Sequence, residues 1–288
     1  MTESKPGPLI SAAELLGRLD DPRLRIADVR WFLGEPGRGQ QEYAEGHIPG
    51  AIYVDLDHDL AAPPGEGRHP LPDPTAFADR MGELGFGDRH TIVIYDADVG
   101  QFGARLWWML DRLGHREVCM LDGGIKAWRA ADGPWTAHRS SPVRADLTLA
   151  KEWPGVIDRA GIADAGDTID LVDVRAAERY RGEVEPMERV AGHIPGARNR
   201  PCASMVTSDG HILSPGELRP LIRGTGKRAE RPLVVSCGSG VTACFGVLAA
   251  RVAGLPDPIL YPGSYSDWVG AGLPVATGPK PNAPLTEA

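Results

Sequence analysis

No stretch of this 288-residue chain approaches the roughly 20 consecutive apolar residues that span a bilayer. The opening residues, MTESKPGPLISAAELL, lack a basic segment followed by an uninterrupted apolar core, so no secretory signal is expected. Positive charge is also short: 31 Lys and Arg stand against 39 Asp and Glu, a formal charge of −8. That balance argues against broad electrostatic binding to nucleic acid or an anionic membrane, while leaving room for a small basic pocket. Cysteine is scarce, with Cys119, Cys202, Cys237 and Cys244 the complete set. Their spacing suits neither a small disulfide-stapled domain nor a CxxC metal knuckle, which points to free thiols in a reducing cytoplasm. No motif requires a metal or an organic cofactor. What remains is an ordinary globular composition, 42% apolar and 24% charged, in a chain too long for one average domain and comfortable for two.

The chain repeats itself. IADVR (26–30), EGHIPGAIYVD (45–55), TIVIYDADVG (91–100) and LDGGIKAW (121–128) are answered in order by LVDVR (171–175), AGHIPGARNR (191–200), LVVSCGSGVT (233–242) and YPGSYSDW (261–268). Three of these pairs are offset by 145, 146 and 140 residues, a near-constancy that indicates duplication. Short β-branched runs at 91–95, 169–174 and 233–236 are bounded by turn or charged residues, as buried strands are. Apolar patterns over 106–113 and 243–253 have helical length and end at Gly114 and Gly254, which suit the cap position. Alternating strands and helices predict an α/β fold, each half a mostly parallel sheet with helices on both faces. The expected division is a domain over 1–138, a linker over 139–154 with a polar start and no clear period, and a second domain over 155–288.

The stretch LVVSCGSGVTACFGVLAARVAG carries the chemistry. An apolar strand runs into Cys237, then into a glycine-rich loop, then into a helix starting near Thr242. Such a loop can turn successive backbone N–H groups inward, and the helix start adds positive potential. Both stabilise a thiolate, which is the nucleophilic form of cysteine. Gly238 and Gly240 permit close backbone approach because they lack a Cβ. Cys244, one turn into the helix, and Cys119, in an apolar strand, are expected to pack in the core. Cys202, in a loop after Pro201, is a candidate second redox-active thiol.

The CGSGVTA loop, the paired DVR and GHIPGA blocks, and the WWM segment at 107–109 resemble tandem-domain rhodaneses, over a match running from about Ile10 to Val275. The CGSGVT element is similar to that of the 3-mercaptopyruvate sulfurtransferase branch. The thiosulfate-preferring branch usually has the basic pair CRKG, and here Gly238 and Ser239 stand instead. The resemblance implies two rhodanese-like domains and a ping-pong transfer in which Cys237 takes a sulfur atom as a persulfide. It implies 3-mercaptopyruvate as donor, with thiosulfate the alternative. The partners are then a small anionic sulfur donor and a thiol or thioredoxin-like acceptor, with neither nucleic acid nor membrane. Asp96 aligns with Cys237, and a carboxylate cannot carry sulfur, so the first domain is expected to be inert.

The resemblance also names the surrounding site. The donor carboxylate is expected on Arg179, which precedes Tyr180, and on Arg189, although the spacing between them is one residue longer than the family's. Gly238, Gly240, Val241 and Thr242 of the loop complete the expected donor site. Ser239 is expected to relay a proton, oriented by His69 and Asp57 from the Pro/Gly-rich stretch YVDLDHDLAAPPGEGRHPLPDP. By contrast His47 and His193 occur in both halves and are expected to hold backbone, and Asp28–Arg30 and Asp173–Arg175 to brace loops. Two other functions fit the loop less well. A cysteine-dependent phosphatase needs an arginine six residues after its nucleophile, where this chain has Ala243. A binding module that has lost catalysis would lack the cysteine in both halves.

Overall fold

The computed structural model describes residues 7–224, 226–281 and 285–286. The first six residues, part of the stretch read against a secretory signal, lie outside the described residues. The chain divides into two compact units, and the division is not a single cut. The first unit takes 1–62, 72–154 and 206–212; the second takes 63–71, 155–205 and 213–288. Residues 139–154, expected as a linker, are therefore counted with the first unit, and residues 63–71 from the first half of the sequence are counted with the second.

The first unit is built on five parallel strands, β1 (Leu9–Ile10), β2 (Leu24–Asp28), β3 (Ala51–Tyr53), β4 (Thr91–Tyr95) and β5 (Val118–Leu121), in the order β1-β5-β4-β2-β3. The second has β6 (Asp170–Asp173), β7 (Arg198–Asn199), β8 (Leu233–Ser236) and β9 (Ile259–Leu260), parallel and in the order β7-β6-β8-β9. The duplicated blocks thus occupy matching strands, β2 with β6, β3 with β7 and β4 with β8. Where the first unit adds β1 beside β5, the second has a single parallel bridge from Val156 to Leu260 beside β9. A short antiparallel pair, β10 (Val275–Ala276) with β11 (Leu285–Thr286), follows. All-parallel strands covered by helices are buried on both faces, so they read as unbroken apolar runs such as TIVIY and LVVS.

Helices Ala104–Arg112 and Ala243–Val252 follow β4 and β8; the second buries only uncharged residues, while the first buries Arg105 and Asp111 among its apolar side chains. Each ends where a glycine takes positive φ, +107° at Gly114 and +66° at Gly254, the cap expected from the sequence. Among the described residues, no helix is long and apolar enough to cross a membrane.

The repeated DVR and GHIPGA blocks form the same bracket twice. Arg30 donates to both oxygens of Asp28, with Nη2 2.6 Å from Oδ2, and to the Gly46 carbonyl at 2.7 Å. Arg175 does the same to Asp173, at 2.7 Å, and to the Gly192 carbonyl, at 2.6 Å. His47 stacks on Tyr43 and contacts its carbonyl through Nδ1 at 2.7 Å; His193 stacks on Tyr180 and contacts its carbonyl at 2.8 Å. These four charged residues and two histidines are buried and occupied with holding the end of a strand to the following loop. Their appearance in both units fits structure and not catalysis.

Candidate active site

Cys237 is the first residue past β8, and three contacts fix the loop behind it. Its N–H donates to Ser264 Oγ at 3.0 Å, its carbonyl accepts from Tyr265 N–H at 3.0 Å, and the Gly238 carbonyl accepts from Ser266 N–H at 2.8 Å. Ser264 holds this position at φ +54°, a left-handed conformation costly for a side chain, and its hydroxyl is tied in turn to the Tyr261 carbonyl. In a trans peptide the N–H points opposite to the C=O. The N–H groups of Gly238 and Ser239 therefore face away from helix Ser264–Gly270. Among the described residues, the N–H groups of Gly238, Ser239, Val241 and Thr242 donate to no protein acceptor. Thr242 caps helix Ala243–Val252, so the loop ends at a helix start, where positive potential gathers.

Gly240 makes the loop geometrically possible. Its φ is +76°, and a Cβ there would stand 2.1 Å from the Pro262 carbonyl oxygen. Gly240→Ala is expected to lose sulfur transfer and about 1–3 kcal/mol of stability, from strained backbone and forced displacement of 262. Paired activity and urea-denaturation measurements check this, and an active, equally stable variant would refute it.

The matching loop of the first unit shows what such a turn does with an anion. Asp96, wholly buried, accepts four backbone N–H groups: Asp98 and Gly100 on Oδ1 at 3.0 and 2.9 Å, Phe102 and Gly103 on Oδ2 at 2.9 and 3.0 Å. A carboxylate thus stands at the position that matches the Cys237 sulfur, and it takes up all four N–H groups. This loop is also two residues longer between strand and helix, Asp96 to Ala104 against Cys237 to Ala243.

Several side chains gather at the Cys237 loop within the second unit. Ser239, itself buried, shares a 2.7 Å hydrogen bond with His69 Nδ1. His69 arrives on the 63–71 segment, which is fastened by the Arg68 N–H donating to Ser266 Oγ at 3.1 Å. Both terminal nitrogens of Arg179 lie 3.6 and 3.7 Å from the point where a Cβ on Gly238 would stand. Arg179 is oriented by Glu185, which accepts its Nη2 at 2.6 Å and also accepts Arg175 Nη1 at 3.2 Å.

Asp57 belongs to the first unit, where its exposed carboxylate accepts from Trp31 Nε1 at 2.9 Å. Arg189 is exposed and makes no ion pair or hydrogen bond among the described residues. Arg68 is the residue that sequence reasoning missed. Its Nη2 stands 3.1 Å from the same Gly238 point that Arg179 faces. Only its place next to His69 could have signalled it.

The remaining thiols are structural. All four cysteines are free. Burial pushes the Cys119 thiol up to about 12, and it packs in the core of the first unit. Cys202 sits buried with Sγ 3.7 Å from the Thr242 carbonyl, and burial, with the neighbouring Cys237, pushes its thiol well above the usual range. That works against the redox role considered from the sequence.

A nucleophilic cysteine at a strand end, inside a loop of backbone donors and beside converging cations, on a duplicated parallel α/β unit, defines a class of thiol-based group-transfer enzymes. The rhodanese-like domain model matches residues 11–131 and 160–271. A probable 3-mercaptopyruvate sulfurtransferase of Pseudomonas aeruginosa is 43% identical over 94% of this chain and 98% of its own. A putative thiosulfate sulfurtransferase, SseB, of Mycobacterium tuberculosis is 40% identical over 90% of this chain and 93% of its own. Among solved structures, SseA from Escherichia coli, a 3-mercaptopyruvate sulfurtransferase, superposes with a TM-score of 0.80 at 32% identity, covering 91% of this chain and all of that one. The chain belongs to the rhodanese family, in its two-domain form, and is a sulfurtransferase.

Proposed function

We propose that this enzyme takes sulfur from 3-mercaptopyruvate onto Cys237 and passes it to a thiol acceptor. The observation that carries the choice of donor is the Ser239–His69 hydrogen bond beside the nucleophile. The Cys237 thiolate attacks the donor sulfur, a new S–S bond forms, and the C–S bond breaks with its electron pair left on carbon as the pyruvate enolate. That enolate needs a proton. In this reading the Ser239 hydroxyl delivers one to the carbon, and His69 passes the persulfide's own S–H proton back to the serine. The products are pyruvate and an anionic Cys237 persulfide, whose outer sulfur the N–H groups of the loop would cradle. An acceptor thiolate, a small thiol or a thioredoxin-like protein, then attacks that outer sulfur and restores the Cys237 thiolate. Arg179 holds the donor carboxylate in a two-pronged contact.

Thiosulfate is the second reading, favoured by the SseB relative and by the cations above Gly238. Chemistry separates the two. Sulfite leaves thiosulfate as a stable anion and needs no proton. Ser239→Ala should lower kcat with 3-mercaptopyruvate by about 100-fold or more, the range of general acid–base catalysis, and leave thiosulfate turnover within a few-fold. Equal losses with both donors, or a wild-type kcat/KM that clearly favours thiosulfate, would overturn the mercaptopyruvate assignment.

Four free, buried thiols support a reducing compartment, and we place the enzyme in the cytoplasm on that ground.

A further inference from the structure

We infer that segments 63–71 and 206–212 are the same loop of the duplicated unit, each seated in the unit built by the other half, and that His211 is a clasp that locks the second of them and couples the unfolding of the two units. Three observations support it. The first is equivalence. Both segments follow a GHIPGA block, and both lead through a histidine into a helix that begins with proline, His69 into Pro74–Glu83 and His211 into Pro215–Ile222. The second is exchange. Residues 63–71 come from the first half of the sequence and are counted with the second unit; residues 206–212 come from the second half and are counted with the first. The third is a shared seat. Each segment rests on the turn of the paired LDGGIKAW and YPGSYSDW blocks. In the second unit a Cβ on Gly67 would stand 2.9 Å from the Gly263 carbonyl oxygen, and the Arg68 N–H donates to Ser266 Oγ at 3.1 Å. In the first unit a Cβ on Gly123 would stand 2.8 Å from His211 Cε1, and Lys126 Nζ donates to the Ser208 carbonyl at 3.3 Å. Gly123 matches Gly263 in the repeat, and Lys126 matches Ser266.

The two histidines differ in what meets them. Asp122 stands in the first unit where the second has Pro262. Both Asp122 oxygens are taken by the hairpin: His211 Nδ1 lies 3.0 Å from Oδ2, and the Ile212 N–H donates to Oδ1 at 2.9 Å. A carboxylate only accepts, so Nδ1 carries the hydrogen. Pro262 offers no carboxylate, and His69 meets Ser239 instead. The duplicate of the histidine assigned to proton handling has thus become a fastener. The hairpin is closed at its tip, where the Thr207 N–H donates to the His211 carbonyl at 2.8 Å, and at its neck, where the Leu213 N–H donates to the Met205 carbonyl at 3.0 Å. The tip is counted with the first unit and the neck with the second. Neither unit then unfolds without stripping the other of a strap, and that links the two equilibria.

The test is a urea titration with a brief alkylation pulse, read by peptide mass. Both reporter thiols are buried, Cys119 in the first unit and Cys244 in the second. In the wild type the two should become reactive at the same urea concentration. In His211→Ala and in Asp122→Ala their midpoints should part by about 0.5–1 M, the effect of losing one charge-assisted contact from a unit of this size. Turnover without urea should stay within a few-fold of wild type, because His211 is given no part in the chemistry. His211→Asn, which keeps a donor where Nδ1 stands, should bring the midpoints back together. Midpoints that already differ in the wild type, that stay together in both alanine variants, or that part in His211→Asn as in His211→Ala overturn the clasp. A loss of turnover beyond about tenfold in His211→Ala without urea gives the residue a role in chemistry and overturns it as well. None of these outcomes depends on which sulfur donor Cys237 meets.

Discussion

Cys237→Ser is expected to abolish sulfur transfer, with kcat/KM falling by about 10⁴-fold or more, while the fold survives. The magnitude follows from removing the atom that forms the covalent intermediate; in enzymes of this kind no other group substitutes for it, and what remains is binding alone. Survival of the fold follows from the local geometry. The backbone of residue 237, not its side chain, ties the loop to Ser264 and Tyr265, and a hydroxymethyl group is slightly smaller than the thiol it replaces. The measurement is donor-dependent mass gain on the intact protein together with steady-state turnover, with the circular dichroism melt as the folding control. A serine variant that still gains one sulfur atom, or turns over at more than about one part in a hundred of wild type, would refute the role given to Cys237.

Arg175→Ala is expected to cost about 3–5 kcal/mol of stability, the usual penalty for leaving one member of a buried ion pair without the other. Arg175 is almost wholly inaccessible. It donates to both oxygens of Asp173, to Glu185 and to the Gly192 carbonyl, and its guanidinium lies 3.9 Å over the ring of Tyr265. Truncation strands the Asp173 carboxylate in the interior and releases Glu185, which positions Arg179. Urea unfolding should therefore show a lowered midpoint, and residual activity should carry a raised donor KM. A shift below about 1 kcal/mol would mean that water or a neighbouring donor takes over the carboxylate. Arg30, which forms the same bracket in the first unit with Asp28 and Gly46, has no such link to Arg179, the arginine proposed to hold the donor. Its loss should lower stability without that change in KM.

These two residues mark how far the sequence could be read. Asp173–Arg175 was visible because the DVR block occurs twice, and a feature shared by a half with the cysteine and a half without it declares itself structural. Cys237 was visible because a strand, a glycine-rich loop and a helix follow one another without interruption, so the local chain alone builds the site. What could not be read was anything that depended on a segment crossing from one half of the sequence to the other unit. His69 and Ser239 are 170 residues apart, and only their resemblance to a known pattern brought them together on paper. Arg68 had no such guide: it sits in a Pro/Gly-rich loop where a lone arginine carries no periodicity and no motif. Arg189 drew attention because it shares the stretch of sequence with Arg179; in the fold it is exposed. Asp96 was recognised as a replacement for the nucleophile, but that a carboxylate would gather four backbone donors to itself is a property of the folded turn.

That last feature makes the two halves thermodynamically unlike. In the first, the charge that organises the turn is covalently part of the chain and is never given up. In the second, on the proposed mechanism, the charge rides on sulfur and changes place, from the Cys237 thiolate when the enzyme is empty to the outer atom of the persulfide when it is loaded. Loading therefore brings no new charge to the turn but moves one outward by an S–S bond, so that one ring of N–H groups serves two anions of different reach where its counterpart serves one.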